Sequence, residues 1–210
     1  MDLEHAEHTL ETIRTLMERS QRYEHMSGCS GLVAGATVLA VCSILAAGLL
    51  PWPARVNFAV VWSVVFAISL TAHCFFTFAR ARRRGERAWS RQARTVALAV
   101  LPAFGAGLVI SVTLWRGDRL DLLPGLWLLL YGCGALATSF FAPRSIGALG
   151  VACLIAGAGS LLAWPGWPAL TMAVGFGATH LVFGVCVLVA QRKEAREHAR
   201  LMRCLRTSRT

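Results

Sequence analysis

The stretch Ala169–Ala190 reads ALTMAVGFGATHLVFGVCVLVA, 22 residues without one Asp, Glu, Lys or Arg. As an α-helix it measures about 33 Å at ~1.5 Å per residue, enough to cross the hydrocarbon layer of a bilayer. Apolar side chains surround it instead of forming one stripe, which excludes a surface helix of a soluble domain. Trp164-Pro165-Gly166-Trp167-Pro168 precedes it, and Arg192 and Lys193 follow. Indoles at one end and cations at the other are the anchors of a spanning helix.

Five further blocks follow the same rule. The expected spans are 28–50, 54–78, 95–115, 124–142, 146–163 and 169–190. Together they make residues 28–190 an all-α integral membrane domain, a bundle of six transmembrane helices. The composition agrees: 56% of the 210 residues are hydrophobic and 15% are charged. A secreted disulfide scaffold, a disordered tail protein and a soluble enzyme are excluded.

Charge sets the expected orientation. Of the 21 Lys and Arg, 18 lie in residues 1–27, 79–94, at Arg144 and in 191–210, which alternate spans would leave on one side. Only Arg55, Arg116 and Arg119 fall on the other. The positive-inside rule therefore predicts N-in and C-in. Trp52, Trp115, Trp127, Trp164 and Trp167 all gather at the predicted outer boundary. The net charge of +10 is explained by anionic lipid headgroups, so no direct nucleic-acid partner is expected.

Residues 1–27 form an acidic, amphipathic cytoplasmic arm. Leu3, Leu10 and Met17 recur every seven residues, with Ala6, Ile13 and Ser20 between them. Six carboxylates face three arginines, so the arm carries a net charge of −3. A signal peptide would open with a basic region, so cleavage is not expected. The arm should dock loosely on the basic stretch 79–94 and the basic tail 191–210, provided its apolar stripe also finds cover.

Ionisable groups inside lipid are costly and therefore candidates for function. The spans hold two, His73 and His180. Gly177 and Gly184 share a helical face with His180, so that face should point into the bundle. Ser69, His73 and Thr77 make a narrow polar stripe, and Tyr131 and Thr138 share a face of the fourth span. A ligand site lined by His180, His73, Tyr131 and Thr138 follows if these faces converge; otherwise each group is interhelical glue. Gly31 and Gly35 form G-x-x-x-G, a close-packing face within the bundle or between protomers of a homo-oligomer. Pro102, in the third span, reads as a hinge or as packing.

Other chemistry finds little support. The seven cysteines lack C-x-x-C spacing and read as small buried hydrophobes. His73 and His180 sit at different depths, which disfavours a shared haem. His5 and His8 read as a solvated face, so no metal and no cofactor is expected. There is no P-loop, H-E-x-x-H, G-x-S-x-G or carboxylate pair, so no enzyme is expected. Without an intramembrane carboxylate a proton- or sodium-coupled pump is disfavoured, though a carrier or pore for a small solute survives.

ETIRTLMERS at 11–20, SGCSG at 27–31, LWLLLYG at 126–132 and GFGATHLVFG at 175–184 resemble the corresponding segments of an uncharacterised family of small bacterial six-helix membrane proteins. The resemblance implies the bacterial inner membrane and a sensing or regulatory role with a cytoplasmic protein partner. The long basic tail departs from the family's shorter ends. The leading expectation is a membrane sensor or regulatory partner acting through its arm, ahead of a solute carrier and a haem or redox protein.

Overall fold

The computed structural model describes residues 27–49, 55–83, 85, 89–163 and 167–207, together with Leu10 and Ile13. The described residues are helical, with no strand among them. α1 is Gly28–Ala46, α2 Arg55–Arg83, α3 Arg91–Arg116, α4 Leu123–Ser139 and α5 Arg144–Ala163. The last rod has three parts: α6 (Pro168–Met172), a π-helical turn (Ala173–Ala178) and α7 (Thr179–Thr207). Six helices are long and apolar enough to cross a bilayer. The chain is a multi-pass membrane protein.

Local chemistry explains where the helices end. α1 stops at Ala46, short of residue 50, because Gly48 takes a left-handed φ of 67° and the chain closes with Leu49 N–H on the Ile44 carbonyl. α2 and α3 run further into the basic stretch than expected. Arginine is a good helix former, and Arg80, Arg82 and Arg83 fall in the last turn of α2, where the helix dipole favours cations. Ser90 caps α3, its hydroxyl accepting from Ala93 N–H at 3.2 Å. The helix of the last rod likewise continues beyond 190 to Thr207, so the start of the tail is not a structural boundary. Pro102 lies on an exposed face of an uninterrupted α3.

Two helix pairs are closed by glycine. On α1, a Cβ at Gly28 would stand 2.5 Å from the Gly184 carbonyl oxygen, and one at Gly35 2.7 Å from that of Gly177. Between them, a Cβ at Gly31 would stand 3.1 Å from the His180 carbonyl oxygen. On α4, a Cβ at Gly132 would stand 2.8 Å from the Gly150 carbonyl oxygen. One at Gly157 of α5 would stand 2.7 Å from that of Gly125. All four helices space these glycines seven apart, two turns along one face. The Cα hydrogens point at facing carbonyls, so backbone packs on backbone. The G-x-x-x-G of α1 is thus a contact within the chain.

α2 and α3 are attached differently. Val65 and Trp62 of α2 pack on Val38, Val41 and Cys42 of α1. Trp127 of α4 fits the notch at Gly107 of α3 and donates its indole N–H to Ser111 Oγ at 3.0 Å. Only 11% of the apolar window of α2 and 6% of that of α3 are buried, against 39% for the fourth span. Their outward rows, including Phe75, Phe78, Leu98 and Leu101, are the lipid-facing surface.

Two halves result. One holds α1, α2 and the last rod; the other holds α3, α4 and α5. The end of the bundle carrying Arg80–Arg94 is called the basic end below, and the end carrying Trp115 and Trp167 the tryptophan end.

Candidate functional site

The seam between the halves is where polar side chains meet. Its centre is the π-helical turn. A π turn bonds i to i+5 and loosens carbonyls from the α ladder. Here side chains take up the loosened groups. The Gly175 carbonyl accepts from the Thr179 hydroxyl and from the Cys153 thiol, the latter at 3.8 Å. The Phe176 carbonyl pairs with His180 Nδ1 at 2.7 Å and also accepts from Thr179 at 3.3 Å. A carbonyl only accepts, so Nδ1 carries a proton.

That bond fixes the rest of the geometry. In the neutral ring Nε2 is then an acceptor, and the Tyr131 hydroxyl of α4 donates to it across the seam at 2.8 Å. Phe176 lies against both rings, 5.5 Å from Tyr131 and 5.9 Å from His180 between centroids. His180 is 9% exposed. A polar group buried this deeply needs partners, and both of its nitrogens have one. With both bonds made, the imidazole has no lone pair for iron or another metal. Among the described residues no group of three metal-ligating side chains occurs.

Further contacts tie the halves together toward the tryptophan end. Ser160 of α5 and Thr171 of α6 share a hydrogen bond of 2.8 Å. The Leu128 side chain, wholly buried, fills the notch left by Gly175. Phe66 and Phe104 join α2 to α3 at 5.6 Å.

Of the four residues expected to line a ligand site, the structure bonds two, Tyr131 and His180. His73 is half-buried and lies within electrostatic reach of His180. Thr138 stands apart: its buried hydroxyl donates to the Gly134 carbonyl of its own helix at 2.7 Å. Gly31, Gly35, Gly177 and Gly184 all lie on the α1–last rod contact. Cys153, Ser160, Thr171, Phe176 and Thr179 are additional seam residues. No sequence motif marks them, because a π turn has no sequence signature of its own. The glycines at 125, 132, 150 and 157 were visible in their seven-residue spacing, the same as that of Gly177 and Gly184.

In the arm, Leu10 and Ile13 are helical and 66% and 46% exposed. His5, His8 and the remainder of the expected docking segment lie outside the described residues.

The chain matches no protein-family model, no curated protein and no solved structure. What the chain shares with small six-helix membrane proteins is six helices long and apolar enough to cross a bilayer; no family is identified.

Proposed function

We propose that the protein is a non-enzymatic sensor or regulatory partner of the bacterial inner membrane, with both termini in the cytoplasm. A shift of its two halves along the seam changes the cytoplasmic surface that a protein partner reads. The supporting observation is the saturated seam. His180 uses both nitrogens, Ser160 and Thr171 bond each other, and Cys153 and Thr179 take the freed carbonyls. A carrier for a polar solute needs unsatisfied polar groups at the membrane midplane, whereas this centre is closed on itself. The halves share one buried cluster, in which Phe183 of α7 joins Leu128, Leu149 and Cys153, but it is side chains and not backbone that meet there, so the seam is the plane along which the halves can shift. The exposed Leu10 and Ile13 are the apolar stripe that a cytoplasmic partner, or a second copy, would cover.

The two-half plan also favours the rival reading, a carrier whose halves rock. Hydrogen exchange on the full-length protein in proteoliposomes separates the two. The sensor reading predicts that Tyr131→Phe raises exchange in residues 79–94 and in the arm, while vesicles take up none of a panel of small solutes. Unchanged exchange at the cytoplasmic face, with solute uptake that Tyr131→Phe abolishes, would replace the sensor with a carrier.

A further inference from the structure

Among the described residues the last rod alone carries a π turn. Such a turn holds one residue more than the α-helical path it replaces, so the segments on either side stand one residue out of step. α7 is the fixed side. A Cβ at Gly184 would stand 2.7 Å from the Gly28 carbonyl oxygen and 2.8 Å from the Leu32 nitrogen, which leaves α1 and α7 no freedom to rotate against each other. α6 is the short side, five residues from Pro168 to Met172. Thr171 ties it to Ser160 of α5, and Met172 packs on the cluster of Val38, Cys42 and Val65.

Three contacts from the other half bear on the turn. Cys153 of α5 donates its thiol to the Gly175 carbonyl, and Leu128 of α4 fills the notch at the same glycine. Tyr131 of α4 bonds His180 Nε2, while Nδ1 of that ring holds the Phe176 carbonyl. Within the rod, the Thr179 hydroxyl donates to both carbonyls. The segment AVGFGA has no preference of its own for the π form, which is rare, and suits an α-helix equally well. The register of the last rod is therefore set across the seam, by the residues that separate when the halves shift.

We infer that the π turn is a register switch. In the resting π register Thr171 faces Ser160. When the contacts from α4 and α5 loosen, the turn relaxes into α-helix and the extra residue passes to α6. α6 then turns by about 100° and advances ~1.5 Å toward the tryptophan end. Met172 arrives opposite Ser160, and Ala173 takes the former place of Met172 beside the cluster. A polar pair is lost and a smaller side chain meets the cluster, so the α register is the minor state. Trp167 and Leu170 are exposed, so α6 meets the bilayer at the tryptophan end, and a change there reaches the seam through the switch. The inference rests on the sensor reading for its consequence at the cytoplasmic face, but the switch itself is independent of it.

Disulfide trapping reads the register in the full-length protein in proteoliposomes. Cys153 is replaced by serine, which keeps a donor at the Gly175 carbonyl, and the other native cysteines by alanine. Ser160→Cys is paired either with Thr171→Cys, which reports the π register, or with Met172→Cys, which reports the α register. Under a mild oxidant the first pair should close fast and the second slowly. Tyr131→Phe should speed the second about threefold, the equivalent of one average interhelical hydrogen bond, and leave the first unchanged. Deleting Val174, whose side chain is 53% exposed, removes the extra residue and leaves Thr171 opposite Ser160. The first pair should then close as before and the second not at all. Closure of the second pair at the same rate with and without Val174 would overturn the switch, as would indifference of that rate to Tyr131→Phe. The Tyr131→Phe comparison decides the matter by itself where the shortened chain does not fold. Trapping the second pair should raise hydrogen exchange in residues 79–94; a trapped α register without that rise would keep the switch and remove the sensor reading.

Discussion

The glycine-closed pairs and the seam between them join helices by opposite means. In α1 with the last rod, and in α4 with α5, carbonyl oxygens stand where side chains would be. Backbone cannot yield, so these pairs move as units. Across the seam the contacts are side chains: Tyr131 on His180, Ser160 on Thr171 and Leu128 in the notch at Gly175. Side chains can change rotamer and partner. A membrane interior offers little hydrophobic drive between helices, so the choice between close backbone packing and side-chain hydrogen bonds decides what is rigid and what can shift.

The largest effect should come from forcing a rigid pair apart. A Cβ at Gly157 meets the Gly125 carbonyl oxygen at 2.7 Å and Leu129 N at 2.9 Å, whereas one at Gly159 meets nothing within 4 Å. Gly157→Val should therefore cost about 3 kcal/mol, and Gly159→Val close to none. Thermal unfolding of both variants in the same detergent makes the comparison. Equal midpoints would mean that α4 and α5 are not held in backbone contact. By the same reasoning Gly35 and Gly184 tolerate less than Gly177. A Cβ at Gly177 first meets the Leu39 side chain, while Gly35 and Gly184 face carbonyls.

Gly175→Ala is the intermediate case, because the obstruction is the Leu128 side chain instead of backbone. Leu128 is fully buried and has little room to turn, so a cost of ~1–2 kcal/mol is expected from overpacking. Chemical denaturation checks it. A loss as large as that of Gly157→Val would make the seam as rigid as the pairs and remove the contrast.

Breaking a single bond of the seam should matter least. Tyr131→Phe keeps the ring against Phe176 and loses one interhelical hydrogen bond, worth on average about 0.6 kcal/mol and at most ~1.7. His180→Ala should cost more than Tyr131→Phe, since it also leaves a cavity and removes one of the two donors to the Phe176 carbonyl. Ser160→Ala should fall near the lower figure. A double-mutant cycle on Tyr131→Phe and Ser160→Ala sharpens the picture. The two bonds lie on different turns of the last rod, and near-additive losses are expected. Strong coupling would mean that the seam opens only as one unit.

Much of this plan is readable in the sequence, for definite reasons. Spans declare themselves because the bilayer demands about 20 apolar residues without charge. That Gly177, His180 and Gly184 share a helical face is found by periodicity alone; which neighbour each meets is not, since the two glycines stand against α1 and the His180 ring turns to Tyr131 of α4. The partner of His180 is not readable, because Tyr131 is 49 positions away and nothing local in either segment points to the other. The helix ends shifted for a related reason. Hydropathy marks where lipid ends, but arginine and alanine carry a helix well past that point, as in α2 and at the start of α3. The π turn stayed hidden because its residues, AVGFGA, suit an α-helix of a membrane protein equally well.

The central claim, two rigid pairs joined by a yielding seam, is tested most directly by spin-label distances in nanodiscs, with Cys74, Cys133 and Cys186, which are exposed and not buried as the sequence led us to expect, replaced by alanine. Labels at Phe140 and Ile155 report on α4 with α5, and labels at Ile44 and Val174 on α1 with the last rod. Labels at Phe75 and Leu98 report across the seam at the basic end. All six positions are exposed. The account predicts narrow distributions for the first two pairs, unchanged by Tyr131→Phe, and a distribution for Phe75–Leu98 that broadens or lengthens in that variant. Three narrow distributions that all ignore Tyr131→Phe, or broadening within either glycine-closed pair, would contradict it.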